Sequence, residues 1–203
     1  MPHTSLHRIQ INGVDVFYRE AGPPDAPVVL LLHGFPASSF QYRELIPLLA
    51  NQYRIIAPDL PGFGFTNVPS ELNYEYTFDS LARTMLAFTE GLGLMRYVLY
   101  VFDYGAPTGF RMALAQPERV TAIVSQNGNV YEEGLGDAWA PIQRYWRDPS
   151  SSNREALRAA FTCDSLTVHR WRSPSGERCA GELYARRGLD CAFRKRGHPI
   201  GPV

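Results

Sequence analysis

The sequence has little of what marks several broad classes of protein. Its 203 residues contain a single lysine, Lys195, and its twenty basic residues balance twenty acidic ones, giving a formal net charge of +0. Bulk charge therefore gives no support for a nucleic acid or an anionic membrane surface as a partner. No apolar run approaches the roughly 20 residues that cross a bilayer, so no membrane association is expected.

Cysteine is scarce, and secretion signals are missing from the start of the sequence. The three cysteines, an odd number, argue against a disulfide-stapled secreted protein, and their spacing is unlike that of a metal site. Residues 1–10 lack the basic and then apolar pattern of a signal peptide. These features predict a cytoplasmic protein without a bound metal.

What the chain does contain is enough apolar side chain for a core, distributed unevenly. The sequence is 45% hydrophobic and 12% aromatic, which is sufficient for a globular domain. All three cysteines and the only lysine come after Phe161, and residues 162–203 contain eight basic residues against four acidic ones. The two parts of the chain therefore differ in character.

The first two-thirds of the chain alternates between strand-like and helix-like patterns. Val28–Leu32 is a short continuous apolar run, typical of a strand buried on both faces. Alternation of such strands with helices predicts an α/β fold with a mostly parallel sheet and helices on both faces. The predicted strands are 6–11, 14–18, 28–32, 53–57, 96–102 and 120–125, and the predicted helices are 40–50, one capped by Asp79 and ending at Gly91, and 106–115.

The most informative segment is a strand that runs directly into a helix through a sharp turn. Arg96–Phe102 is the strand, Asp103 is the apex of the turn, and the small residues Gly105 and Ala106 follow where the helix begins. Such an elbow presents its apex side chain above the sheet, next to a helix N-terminus. With an ordinary pKa of about 3.9, aspartate is already an anion at neutral pH and needs no base to attack an sp³ carbon.

Three motifs in order carry a resemblance to a known family. They are His33-Gly34-Phe35-Pro36, Pro58-Asp59-Leu60-Pro61-Gly62-Phe63-Gly64 and Asp103-Tyr104-Gly105-Ala106-Pro107. From Leu6 to about Gly134 the chain resembles the α/β-hydrolase superfamily, in the branch that holds epoxide hydrolases and haloalkane dehalogenases.

The resemblance implies a catalytic mechanism. Asp103 is expected to be the nucleophile, and the backbone N–H groups of Phe35 and Tyr104 are expected to form an oxyanion hole. The substrate is expected to be a small epoxide or alkyl halide, attacked to leave an alkyl-enzyme ester. Neither a metal nor an organic cofactor is implied, and the oligomeric state is left open. Residues expected to have structural roles near the site are His33, Gly34, Pro36 and Gly105.

The chain also departs from the family pattern. Val101 stands two residues before the nucleophile, where a small residue is usual, so we expect either a strained turn or a shifted strand. Dehalogenases of this group bind halide with an Asn and a Trp at the places held here by Phe35 and Tyr104. This difference favours an epoxide hydrolase.

The family pattern ends before the end of the chain. We expect a core over residues 1–136, a partial helical cap over 137–161, and an atypical, basic, irregular tail over 162–203. The catalytic acid, the histidine that activates water and the last strands of the fold are not recognisable. His169 and His198 follow no recognisable strand, and Glu132 and Glu133 fit the place of the acid only loosely.

Two hypotheses follow from this incomplete set of catalytic residues. The first is a hydrolase that forms the ester on Asp103 and stalls for lack of a base. The second is a truncated or frame-shifted, catalytically inactive protein with the hydrolase fold. In the second case the strand 120–125 becomes an exposed apolar edge, which invites aggregation.

Overall fold

The fold is built on one six-stranded sheet. The computed structural model describes residues 3–131, 134 and 136–160. The strands lie in the spatial order β1-β2-β4-β3-β5-β6. Their bounds are β1 Ser5–Ile11, β2 Val14–Ala21, β3 Val28–Leu32, β4 Arg54–Pro58, β5 Tyr97–Phe102 and β6 Val120–Gln126. The strands β4, β3, β5 and β6 are parallel to one another. At one edge of the sheet, β2 pairs antiparallel with β4, and β1 pairs antiparallel with β2.

Helices cover both faces of the sheet, as predicted. Leu30 and Leu32 of β3 pack on one face into the same cluster as Met85 and Met112, from two different helices. Val29 and Leu31 point to the other face, where Ile46 joins their cluster. The continuous apolar run of β3 follows from this double burial. The helices are α1 Leu45–Leu49, α2 Phe78–Gly91, α3 Gly105–Ala115, α4 Ala140–Arg147 and α5 Ser151–Ala160.

The predicted helix over residues 40–50 is divided into two short elements. A 3-10 turn at Ser39–Tyr42 is capped by Ser38, whose side chain accepts a hydrogen bond from the Phe40 N–H, and α1 follows. Pro47 has no N–H and cannot donate to the carbonyl of Arg43, which disfavours a continuous helix through this segment. Proline is tolerated where it stands, in the first turn of α1.

The cap of α2 differs from the prediction. Thr77 is the N-cap, with extended backbone, and its hydroxyl accepts a hydrogen bond of 3.1 Å from the Ser80 N–H. Asp79 lies in the first turn instead, where its carboxylate accepts a 2.6 Å hydrogen bond from Arg111 of α3. The backbone conformation at residue 77, which the sequence pattern does not reveal, decides which of the two polar side chains caps the helix.

The last described strand forms an exposed edge of the sheet. β6 pairs with β5 on one side, and Ile123 and Val124 are 43% and 46% exposed. Beyond it, Asp137–Trp139, α4 and α5 form short helices. The predictions made for Glu132, Glu133 and residues 162–203 lie outside the described residues. None of the helices in the described part of the chain has the length and apolar character needed to cross a bilayer.

Candidate active site

The turn between β5 and α3 holds Asp103 in an unusual backbone conformation. β5 ends at Phe102, α3 begins at Gly105, and Asp103 has a φ of 47°. This left-handed region is unfavourable for most side chains, and aspartate is among the residues that tolerate it best. The turn therefore lifts the Asp103 side chain away from both the strand and the helix.

Two glycines allow the chain to close around this turn. A Cβ atom at Gly105 would lie 2.1 Å from the Leu32 carbonyl oxygen at the end of β3. A Cβ atom at Gly34 would lie 2.5 Å from the Cβ atom of Asp103. Neither position has room for a side chain, so both glycines are required by the close approach of β3 and its following loop to the elbow.

Val101 is accommodated by a glycine on the helix that packs over it. A Cβ atom at Gly109 of α3 would lie 2.5 Å from Cγ1 of Val101. The absent side chain at Gly109 therefore provides the space that a small residue at position 101 would otherwise provide. β5 still pairs in register with β3 through Val101, opposite Leu32.

The carboxylate of Asp103 has two different oxygen environments. Its Oδ1 accepts hydrogen bonds from the backbone N–H groups of Phe35, at 2.8 Å, and Tyr104, at 2.7 Å. Among the described residues, no donor is bonded to Oδ2. One oxygen is thus fixed by two backbone dipoles, whereas the other accepts no hydrogen bond from the described residues.

Burial and hydrogen bonding act in opposite directions on the Asp103 carboxyl group. Burial raises the pKa of Asp103 above its ordinary value, because desolvation penalises the charged form. The two backbone N–H groups of Phe35 and Tyr104 act against this by stabilising the carboxylate. The net effect on the pKa is upward, so the Asp103 side chain loses its charge at a higher pH than a solvated aspartate does.

His33 is fully buried behind the site, and both of its ring nitrogens are engaged. Its Nε2 accepts a hydrogen bond of 3.0 Å from the Leu60 N–H, and its Nδ1 lies 2.9 Å from the carbonyl oxygen of Gly34. A backbone N–H can only donate, so Nε2 is unprotonated and the neutral ring donates from Nδ1. Burial lowers the pKa of His33, which favours this neutral form. Neither nitrogen is free to act as a base toward Asp103.

Asp59 organises the second motif, a role the sequence analysis did not assign. Its fully buried carboxylate accepts hydrogen bonds from the N–H groups of Ser39, at 2.7 Å, and Phe65, at 2.8 Å. A Cβ atom at Gly64 would lie 2.0 Å from Asp59 Oδ2, so the loop can wrap around the carboxylate only with glycine there. An aspartate followed by two closely spaced glycines was the available signal.

Four aromatic side chains cluster beside Asp103. The ring of Tyr104 lies 5.3 Å from that of Phe35, 5.1 Å from that of Phe78 and 6.4 Å from that of Phe63. Burial raises the pKa of the Tyr104 phenol far above its ordinary value, so it stays a neutral hydroxyl group. Aromatic rings therefore line this side of Asp103, and the guanidinium group of Arg111 lies 5.8 Å from the centroid of the Phe78 ring.

The remaining candidate residues, His169, His198, Glu132 and Glu133, lie outside the described residues. No cluster of three or more possible metal ligands occurs within residues 3–131, 134 and 136–160.

The chain is similar in sequence and in fold to known proteins. Residues 27–173 match the sequence profile of a family described as having the alpha/beta hydrolase fold. An uncharacterized hydrolase of Saccharomyces cerevisiae is 54% identical over 148 residues, which are 72% of this chain and 50% of the relative. A haloalkane dehalogenase of Mycolicibacterium paratuberculosis is 39% identical over 55% of this chain and 37% of its own length.

A solved structure extends the comparison to an epoxide hydrolase. The epoxide hydrolase VrEH1 from Vigna radiata superposes with a TM-score of 0.60 and 30% identity, over 70% of this chain and 44% of that one. The chain spans half or less of the length of the curated relatives described above.

Proposed function

Since this chain belongs to the α/β-hydrolase family, in the branch of epoxide hydrolases and haloalkane dehalogenases, we propose that it attacks a small epoxide or alkyl halide with Asp103. The observation that carries the proposal is the divided carboxylate: Oδ1 is held by the N–H groups of Phe35 and Tyr104, while Oδ2 has no described donor. A carboxylate fixed in this way keeps one oxygen directed outward for attack.

The first step forms an ester. Oδ2 of Asp103 attacks an sp³ carbon of the substrate, and a C–O bond of the epoxide or the carbon–halogen bond breaks. The electron pair of the broken bond leaves with the halide, or with the epoxide oxygen, which then takes a proton from solvent water. The apolar cluster of Phe35, Phe63, Phe78 and Tyr104 supports a neutral, apolar substrate, because it offers no charge to pair with.

The second step requires the oxyanion hole. Once Oδ2 is alkylated, Oδ1 is the carbonyl oxygen of the ester, and it already accepts two backbone hydrogen bonds. Attack of water on this carbonyl develops negative charge on Oδ1, where the N–H groups of Phe35 and Tyr104 stabilise it. Release also needs a general base for the water, and no described residue near Asp103 supplies one.

We favour an epoxide over an alkyl halide as substrate. Phe35 carries no side-chain donor for a halide ion, whereas the neutral hydroxyl group of Tyr104 is able to donate to an epoxide oxygen. The competing hypothesis, an inactive protein with the hydrolase fold, predicts no covalent chemistry at Asp103. One experiment separates covalent chemistry at Asp103 from an inactive protein.

The test is intact mass spectrometry after incubation with styrene oxide or with 1,2-dibromoethane. We expect a stable mass gain of one substrate-derived group, located on Asp103 by peptide mapping and absent from Asp103→Asn. The asparagine variant is a matched control, because its side-chain oxygen can accept the same two backbone hydrogen bonds. Steady product formation would mean that a base is present. If neither an adduct nor a product is detected, the hypothesis of an inactive protein is favoured.

A further inference from the structure

The phenol groups of Tyr42 and Tyr104 both interact electrostatically with Asp103, but they differ in their hydrogen bonds. The hydroxyl group of Tyr42 donates to the Leu32 carbonyl oxygen at 2.8 Å. The bonds of Tyr104 to described residues are made by its backbone, whose N–H donates to Asp103 Oδ1 and whose carbonyl oxygen accepts from the Thr108 hydroxyl group. The hydroxyl group of Tyr104 bonds to none of the described residues, so it is a donor available beside the carboxylate.

The backbone of Tyr104 directs its side chain toward the elbow. Its φ of −60° and ψ of −22° are helical, and it directly precedes Gly105, the first residue of α3. The Cα–Cβ bonds of a helix lean toward the helix N-terminus, which here is the turn that holds Asp103. Asp103 and Tyr104 are both only partly buried, so neither side chain is sealed inside the core.

Three aromatic rings hold the ring of Tyr104 in place. Phe78 and Phe63 meet it nearly edge to face, with interplanar angles of 83° and 89°, and Phe35 lies against it at a tilt of 36°. Edge-to-face contacts are a favourable arrangement of aromatic pairs. A ring that is already fixed on three sides loses little freedom when its hydroxyl group binds a ligand, so this donor is preorganised.

We infer that Tyr104 is a catalytic residue: its hydroxyl group donates a hydrogen bond to the oxygen of an epoxide while Oδ2 of Asp103 attacks the adjacent carbon. The inference rests on the proposed function, and it assigns to the same site the group that activates the leaving oxygen. The nucleophile and the donor belong to consecutive residues of one elbow. The turn that positions the first therefore also positions the second.

The step needs no reactant besides the epoxide and water. A bond forms from Oδ2 of Asp103 to the carbon as the epoxide C–O bond breaks, and the electron pair of that bond stays on the epoxide oxygen. The hydrogen bond from Tyr104 stabilises the negative charge that develops there. Burial, and then the charge of Asp103, raise the pKa of Tyr104 far above its ordinary value, so the phenol is a donor at neutral pH. The new hydroxyl group takes its proton from solvent water, and Tyr104 ends the step as a neutral phenol.

The first test compares two reagents on one variant, Tyr104→Phe, which keeps both the aromatic ring and the backbone N–H. An alkoxide is a poor leaving group that depends on a donor, whereas bromide leaves readily as an anion. We expect Tyr104→Phe to slow the alkylation of Asp103 by styrene oxide by roughly thirtyfold, and the alkylation by 1,2-dibromoethane by less than about threefold. Intact mass spectrometry at successive times measures both rates.

The matched control is Tyr42→Phe, which also removes a phenol hydroxyl group that interacts with Asp103, but one already bonded to the backbone. We expect this variant to keep the wild-type ratio of the two rates. An equal loss with both reagents in Tyr104→Phe, or no loss with styrene oxide, would overturn the inference. Alkylation of the wild type by 1,2-dibromoethane alone would also overturn it, while leaving Asp103 as the nucleophile.

The second test needs neither alkylation nor a Tyr104 variant. In Asp103→Asn, which is expected to form no ester, the 13C NMR signal of Tyr104 Cζ is followed during titration with styrene oxide and, separately, with ethylbenzene, which lacks the epoxide oxygen. We expect styrene oxide to shift this signal and ethylbenzene to leave it nearly unchanged. Equal responses, or no response to styrene oxide, would contradict the inference. A shift specific to styrene oxide, together with a wild-type chain that forms no ester, would contradict the proposed function alone.

Discussion

At the scale of the residue, Asp103 combines two unfavourable features. Its φ of 47° is unfavourable for most side chains, and burial raises the pKa of its carboxyl group. The N–H groups of Phe35 and Tyr104 offset only part of the cost of burying the charge. A residue that lowers stability in these two ways is expected at a site where its chemical reactivity is needed.

Replacing this carboxyl group should change how stability depends on pH. The pKa of Asp103 is higher in the folded than in the unfolded chain, so its favourable contribution is present below about pH 3.9 and is lost as the pH rises through the folded value. The free energy of unfolding of Asp103→Asn, relative to wild type, should therefore increase from acid to neutral pH. Urea unfolding at several pH values measures this difference.

The control for that measurement is Asp25→Asn, which removes one carboxylate from an exposed position. We expect the stability of this variant to follow that of the wild type over the same range. A constant difference between Asp103→Asn and wild type at every pH would contradict the prediction.

At the scale of the element, β5 and α3 are matched to one another at the elbow. Val101 fills the space over Gly109, and Gly105 allows α3 to start against the Leu32 carbonyl. The departure of residue 101 from the family pattern is thus compensated four residues into the helix. The strand keeps a regular register with β3, although its register with β6 shifts between Tyr97 and Val98.

This match predicts coupling between residues 101 and 109. Gly109→Ala alone should destabilise the fold by about 1–3 kcal/mol, because its Cβ would lie 2.5 Å from Val101 Cγ1. In the background of Val101→Ala the same change should be neutral or stabilising, because alanine is favoured over glycine in a helix by about 1 kcal/mol. A double-mutant cycle by urea unfolding measures the coupling, and additive effects would contradict it.

At the scale of the whole molecule, the two margins of the sheet differ in chemistry. β1 carries Arg8, which pairs with Asp15, whereas β6 contains no charged residue and exposes Ile123 and Val124. An uncharged apolar edge strand is a template for pairing with another chain, and charge is the usual protection against it. Within the described part of the chain, β6 is such an exposed, uncharged edge strand.

A charge placed on β6 should therefore suppress association of the 203-residue chain with itself. We expect Ile123→Lys to lower the apparent mass of the chain in light scattering, or the amount of aggregate, relative to wild type. Met95→Lys is the control, because Met95 is 69% exposed but lies outside the sheet. Equal effects of the two variants would indicate that added charge raises solubility in general, and would contradict association through the β6 edge.

Several features were predictable because local patterns encode them. The assignment to the α/β-hydrolase superfamily and its epoxide hydrolase and haloalkane dehalogenase branch is confirmed, as is the mostly parallel sheet. The run of small residues after Asp103 indicated a strand-turn-helix elbow. Local pattern failed at Asp79, because Thr77 caps α2 through a backbone conformation that neighbouring residues of similar type do not reveal.

The sequence by itself determined the order of the elements and the residue at the apex of the elbow, since hydrophobic period, turn residues and small residues all act within a few positions. Only the tertiary structure decided what surrounds that residue. The Phe35 N–H reaches Asp103 across 68 positions of the chain, and Gly109 makes room for Val101 from a different element. Such contacts depend on how β3, β5 and α3 pack together, which no local pattern contains.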